Sequence, residues 1–147
     1  MKIRFSLGWT GGNIARSFKS ADAYALFQEY AARLDKFDGC TVSGPETAKK
    51  SGTVLWLCHT AKNAKMLSSE ELAVKIQKLR DSSVRELCIA VGPADGFSAK
   101  DVESLKPDFL WSFGPLTLPH ELAAVVAAEQ VYRAFTIIRG LPYHSGH

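Results

Sequence analysis

The residues best suited to chemistry fall in three short loops and one tail. Glycine, proline or lysine punctuates Thr60-Ala61-Lys62, Gly92 to Gly96 and Gly114-Pro115, each just after a run of apolar residues. If those runs are parallel strands, their carboxyl ends bring the three loops to one side of a sheet, where open α/β folds bind ligands. Glycine in such a loop lets backbone approach a ligand closely. Ordinary turns carry the same residues, so spacing alone leaves both readings open. No GxGxxG fingerprint and no Walker A loop is present, which argues against the usual dinucleotide and P-loop sites.

The four histidines are His59, His120, His144 and His147. None belongs to an HExxH pattern or a tight His/Cys cluster, so no metal site is expected. No GxSxG elbow supports a serine hydrolase. His120 follows Pro119 at an anticipated helix start, where capping or packing accounts for it. Further on, Glu129 and Arg133 stand four apart with the acid first, a favourable helix pair that needs no functional meaning. Beyond them, Leu141-Pro142-Tyr143-His144 sets an aromatic ring and an imidazole on a short tail of the kind that ordinarily frays.

These residues need elements to hold them. Ile3 to Trp9 reads as a first strand. A helix over about Ala21 to Phe37 takes Ser20 as N-cap and gathers Tyr24, Phe27, Tyr30, Ala31 and Leu34 on one face, with Gly39 just beyond it. Cys40 to Ser43 is a second strand. Thr53 to Cys58 and Glu86 to Val91 are short continuous apolar runs, as strands covered on both faces show. Between them, Ser68-Ser69-Glu70-Glu71 predicts a capping box opening a helix with Leu72, Ile76 and Leu79 on its apolar stripe. A brief helix starts at Ser98-Ala99-Lys100-Asp101 and Pro107 terminates it. Phe109 to Ser112 is a last strand. The final helix begins with Pro119 at its first position and ends before Gly140. Strands and helices alternate, so the expected class is α/β with a mostly parallel sheet flanked by helices.

With 147 residues, 46% of them hydrophobic and 22% charged, the chain suits a single domain spanning 1–147 with one core and no need of a staple. No run approaches the roughly 20 apolar residues of a transmembrane helix, and no signal peptide is evident, so no membrane partner is expected. Three widely spaced cysteines, Cys40, Cys58 and Cys88, fit reduced thiols and a cytoplasmic location. A net charge of +3 permits RNA binding without demanding it. The last helix is apolar around much of its circumference, through Leu122, Val125, Val126, Val131, Phe135 and Ile138. Burial within the chain or in a dimer would each satisfy it.

Thr117-Leu118-Pro119-His120-Glu121-Leu122, then Ala128-Glu129-Gln130-Val131-Tyr132-Arg133-Ala134, then Pro142-Tyr143-His144 form a signature in three parts. It resembles the closing segment of the RlmH family, SPOUT-class enzymes that methylate N3 of a pseudouridine in large-subunit ribosomal RNA. Weaker similarity runs through Met1-Lys2-Ile3, Leu57, Lys62, Ser68 to Leu72 and Gly92-Pro93 with Gly96 and Ser98. The resemblance implies a C-terminal trefoil knot, a homodimer, and S-adenosyl-L-methionine as cofactor. By position it implies cofactor contacts from Leu57, Gly92, Gly114, Pro115, Leu116, Thr117, Leu118 and Pro119. It implies an RNA-binding and catalytic end made of Arg133, Tyr143 and His144, with His144 the base by residue type and Tyr143 stacking on a nucleobase. The partner would be large-subunit ribosomal RNA or the ribosome.

This chain departs from the family pattern at five places. Cys58 and Ala61 replace an acid and a glycine, and Val91 replaces the first glycine of a pair. Ala124 replaces an arginine, and Ser145 a basic residue. A divergent RNA target, or a dimeric RNA-binding relative without catalysis, are the alternatives these changes raise.

Overall fold

The computed structural model describes residues 1–145; His147 lies outside the described residues. Its elements, in chain order, are β1 (Lys2–Leu7), α1 (Ile14–Ser17), α2 (Ala21–Asp35), β2 (Cys40–Ser43), β3 (Thr53–Cys58), β4 (Lys65–Met66), α3 (Ser69–Asp81), β5 (Glu86–Val91), α4 (Ala99–Leu105), β6 (Phe109–Ser112) and α5 (His120–Ile138). The six strands form one sheet in the order β2-β1-β5-β3-β6-β4. Every pairing between them is parallel.

Two strand runs that read as continuously apolar are buried on both faces, for the reason the sequence predicts. In β5, Leu87, Ile89 and Val91 face the main core while Cys88 and Ala90 face a smaller one with Leu55, Leu57 and Leu105. The main core lies under α2, α3 and α5, where Phe27, Leu34, Ile76, Val131 and Phe135 are at most 1% exposed. Each such side chain contributes roughly 1.5–3 kcal/mol by leaving water. The smaller core lies under α4.

Several boundaries differ from expectation. β1 stops at Leu7 because the Thr10 amide and hydroxyl both turn back to the Leu7 carbonyl, at 3.2 and 2.8 Å. That turn swings Trp9 out of the strand. α2 stops at Asp35 rather than Phe37, its N-cap being Ser20 as predicted. Pro119 is the N-cap of α5, not its first residue: its ψ of 144° is extended, and its carbonyl accepts the Ala123 amide at 2.8 Å. Helix α1 and the two-residue β4 carry too few residues to show a period, and neither was expected.

The end of α5 is closed by a Schellman motif. Gly140 has φ +68°. Its amide bonds the Ile137 carbonyl at 3.1 Å, and the Leu141 amide bonds Thr136 at 2.9 Å. Glycine takes that left-handed turn without a Cβ penalty. The turn folds the tail back along the helix it has just left.

Candidate active site

The loops after three neighbouring strands, β5, β3 and β6, meet around a cleft of about 190 Å³. Cys58 ends β3 and His59 and Thr60 follow it, Val91 ends β5 and Gly92 to Phe97 form the loop after it, and Phe113, Gly114 and Leu116 to Leu118 come from the segment after β6. His120 and Ala123 of α5 close one side, and Trp111 closes another. The loop after β5 is folded so tightly that a Cβ on Gly92 would sit 3.1 Å from the Gly96 carbonyl carbon and 3.2 Å from the Phe97 nitrogen. Only glycine fits without moving backbone.

Of the residues that the family resemblance singled out for cofactor contact, Gly92, Gly114, Leu116, Thr117 and Leu118 line this cleft. Leu57 does not: it is fully buried on the opposite face of the sheet. Pro115 and Pro119 belong to the same loop without forming its wall. The walls mix aromatic and aliphatic side chains with backbone and a few polar groups. Asp95 is the wall's carboxylate, and neither lysine nor arginine lines it. The Cys58 thiol is pushed up, chiefly by burial and then by Cys88, so it stays protonated.

His120 and Glu121 anchor this wall to the N-terminal segment. The His120 ring packs edge-on against Trp9, centroids 4.6 Å apart, and Trp9 packs likewise on Phe18 at 5.4 Å. The Glu121 carboxylate, 8% exposed, accepts the Lys19 amide at 2.8 Å and the Ser20 amide at 3.0 Å. Burial opposes its charge, yet those amides, with His120 and Lys19, hold the carboxyl below its usual range. In sequence Glu121 looks like an ordinary first-turn acid. Its partners lie a hundred residues away, and no local pattern signals them.

A second cluster forms where the tail folds back. Glu129 accepts Arg133 Nη2 at 2.7 Å and the Tyr143 hydroxyl at 2.8 Å. The Tyr143 hydroxyl also lies 3.4 Å from that of Tyr30, and its ring packs edge-on against Tyr132 at 4.8 Å. Burial, then the contacts with Tyr30 and Glu129, push the Tyr143 phenol well up, so it remains a neutral donor. Arg133 Nη1 lies 3.1 Å from His144 Nδ1, and His144 Nε2 lies 2.6 Å from Glu70 Oε1. Arginine only donates, so Nδ1 must accept and the proton sits on Nε2, directed at Glu70. Both ring nitrogens are engaged, and in this arrangement His144 pins the tail to the start of α3. His144 first, then its own backbone amide, holds the Glu70 carboxyl below its usual range.

The structure thus brings Arg133, Tyr143 and His144 together, but apart from the cleft. An α-helix rises about 1.5 Å per residue, so Arg133 stands roughly 20 Å along α5 from His120.

The protein is of the α/β class, with a cleft at the carboxyl ends of adjacent parallel strands, the place where open α/β sheets bind ligands. Residues 14–144 match the family described as predicted SPOUT methyltransferase. The chain is 36% identical to a ribosomal RNA large subunit methyltransferase H of Koribacter versatilis, with all of both chains covered. It is 43% identical to the protein of that name from Mesorhizobium japonicum, over 88% of this chain and 83% of that one. A crystal structure of a probable methyltransferase from Bordetella pertussis Tohama I superposes with a TM-score of 0.54, covering 90% of this chain and 95% of that one at 13% identity. That likeness concerns the fold. The chain belongs to the SPOUT methyltransferase family.

Proposed function

We propose that the protein transfers a methyl group from S-adenosyl-L-methionine to N3 of a pseudouridine in large-subunit ribosomal RNA. The observation that carries this reading is the cleft itself, built at three strand ends in a chain of a methyltransferase family. Its lining suits the cofactor. Phe113, Leu116 and Leu118 offer apolar surface to an adenine, loop backbone offers donors and acceptors to its edge, and a wall with one carboxylate and no cation suits a sulfonium. When bound, the cofactor supplies an electrophilic methyl group. The chain's own residues bind it, exclude water from it and hold the target nitrogen in line, which supplies much of the acceleration.

The roughly 20 Å between cleft and tail cluster favours a homodimer in which one protomer's cleft faces the tail of its partner. Exposed apolar residues near the cleft support it: Leu116 is 74% exposed, Met66 65% and Leu122 45%. Such side chains in one region mark an interaction surface. In that assembly Arg133 and Tyr143 hold RNA, Tyr143 by stacking. His144 takes the N3 proton only if its contact with Arg133 opens. A trefoil knot, with the chain threading through the loops beside the cleft, is consistent with α5 returning from the far side of β3 to pack on α2 and α3. Cytoplasmic location follows from an RNA substrate; no helix among the described residues is long and apolar enough to cross a membrane.

Calorimetry with S-adenosyl-L-methionine tests the cofactor, and no binding at millimolar concentration would reject an active enzyme. Mass spectrometry of ribosomal RNA from a deletion strain should show one methyl group missing from a pseudouridine. An unchanged profile alongside cofactor binding would point to a different RNA target. Sedimentation should show a dimer that Leu116→Asp with Leu122→Glu dissociates; a monomeric wild type would remove the composite site.

A further inference from the structure

His59 stands on the cleft wall one residue beyond the end of β3. Its backbone amide is tied to the Trp111 carbonyl at 2.9 Å, which fixes the residue between β3 and β6. The side chain is fixed as well. Nδ1 accepts the Thr60 amide at 2.9 Å and the Ala61 amide at 3.4 Å. Both are N–H donors, so Nδ1 holds a lone pair and the ring proton is on Nε2. That Nε2–H makes no hydrogen bond among the described residues. The loop therefore presents one oriented donor, already in the right tautomer, on a wall that has no lysine or arginine. The neighbouring Cys58 thiol is half-buried and protonated, and a thiol donates weakly.

We propose that His59 is a cofactor-positioning residue, its Nε2–H donating to an oxygen of S-adenosyl-L-methionine, either the carboxylate or a ribose hydroxyl. The inference rests on the methyltransferase reading given above. It gives the two backbone contacts a purpose: they orient the ring before the ligand arrives, so little rotamer freedom is lost on binding. Because the ring is neutral, it recognises an oxygen acceptor without repelling the sulfonium, as a lysine would.

The experiment is calorimetric titration of the full-length protein with S-adenosyl-L-methionine and with methylthioadenosine, which lacks the amino-acid arm. Three proteins are compared: wild type, His59→Phe and His59→Gln. Phenylalanine keeps an aromatic ring but removes both the Nε2–H donor and the Nδ1 acceptor; glutamine places an amide N–H near the Nε2 position. His59→Phe should bind the cofactor ~10-fold more weakly or worse, as expected for a lost bond to a polar or charged acceptor. His59→Gln should recover most of that loss. If the acceptor is the carboxylate, methylthioadenosine affinity is the same in all three; if it is the ribose, it falls with His59→Phe and recovers with His59→Gln. Wild-type affinity in His59→Phe overturns the proposal. So does an equal loss in both variants, which would assign the ring to holding the loop. Failure of the wild type to bind cofactor at all rejects the methyltransferase reading instead.

Discussion

Replacing Glu121 tests whether the start of α5 is held by the contacts that shape the cleft. Its carboxylate is buried and accepts two backbone amides, from Lys19 and Ser20. Glu121→Ala strands both donors, each at a cost of ~1–3 kcal/mol when water cannot replace the partner. Lys19 and Ser20 are themselves exposed, so water recovers part of this and the total should be about 2 kcal/mol. For a domain of this size that lowers the melting temperature by about 4–8 °C. Glu121→Gln keeps one acceptor and turns an amide nitrogen toward the other donor, so its loss should be smaller. The pH dependence has a definite sign. The folded carboxyl titrates below its ordinary value of about 4.3, so its charged-state contribution is complete above that value and is lost as pH falls through the folded pKa. The gap in melting temperature between wild type and Glu121→Gln should therefore be constant at neutral pH and narrow below about pH 4. Cofactor affinity should fall too, because His120 and Ala123 on the cleft wall move with the start of α5. Scanning calorimetry across pH, paired with cofactor titration, makes the measurement. A Glu121→Ala protein melting within a degree of wild type would refute the reasoning.

Two further outcomes follow from the same geometry. Gly92→Ala puts a methyl group 3.1 Å from the backbone of Gly96, so the loop must shift; a stability loss of about 1–3 kcal/mol with weakened cofactor binding is expected by denaturant titration and calorimetry, and unchanged values in both would show that the loop yields freely. Tyr143→Phe removes the donor to Glu129 but keeps the ring, whereas Tyr143→Ala removes both. If the ring stacks on a nucleobase, worth ~1–3 kcal/mol, RNA affinity should survive the first change and fall about 5-fold or more with the second; equal affinities in filter binding would dismiss stacking.

Most of the layered fold was legible because its signals are local. Ser20 caps α2 and the Ser68–Glu71 capping box opens α3, both as the residue order predicts. The apolar runs Thr53 to Cys58 and Glu86 to Val91 became adjacent inner strands. What the hydrophobic pattern does not show are boundaries set by backbone turns. Trp9 was assigned to β1 by its hydrophobicity, but the Thr10 turn removes it from the strand and delivers it to His120.

The candidate site divides along the same line. The loops at Gly92 and Gly114 were visible because glycine and proline after an apolar run mark a turn at a strand end, and three neighbouring strands bring such turns together. Leu57 shows what alternation hides from a positional reading: side chains alternate across a strand, so Cys58 faces the cleft while Leu57 faces the small core beneath α4. The departure at Ala124 has a packing counterpart, since that side chain is fully buried and the helix there leaves no space for an arginine. The tail is the clearest case. Terminal residues with an aromatic and a histidine read as fraying, yet the Gly140 turn commits them to α5. Glu129, Arg133, Tyr143, His144 and Glu70 then satisfy one another's charges and hydrogen bonds. A helix pair that alone would be worth a few tenths of a kcal/mol thereby becomes the anchor of an ordered surface.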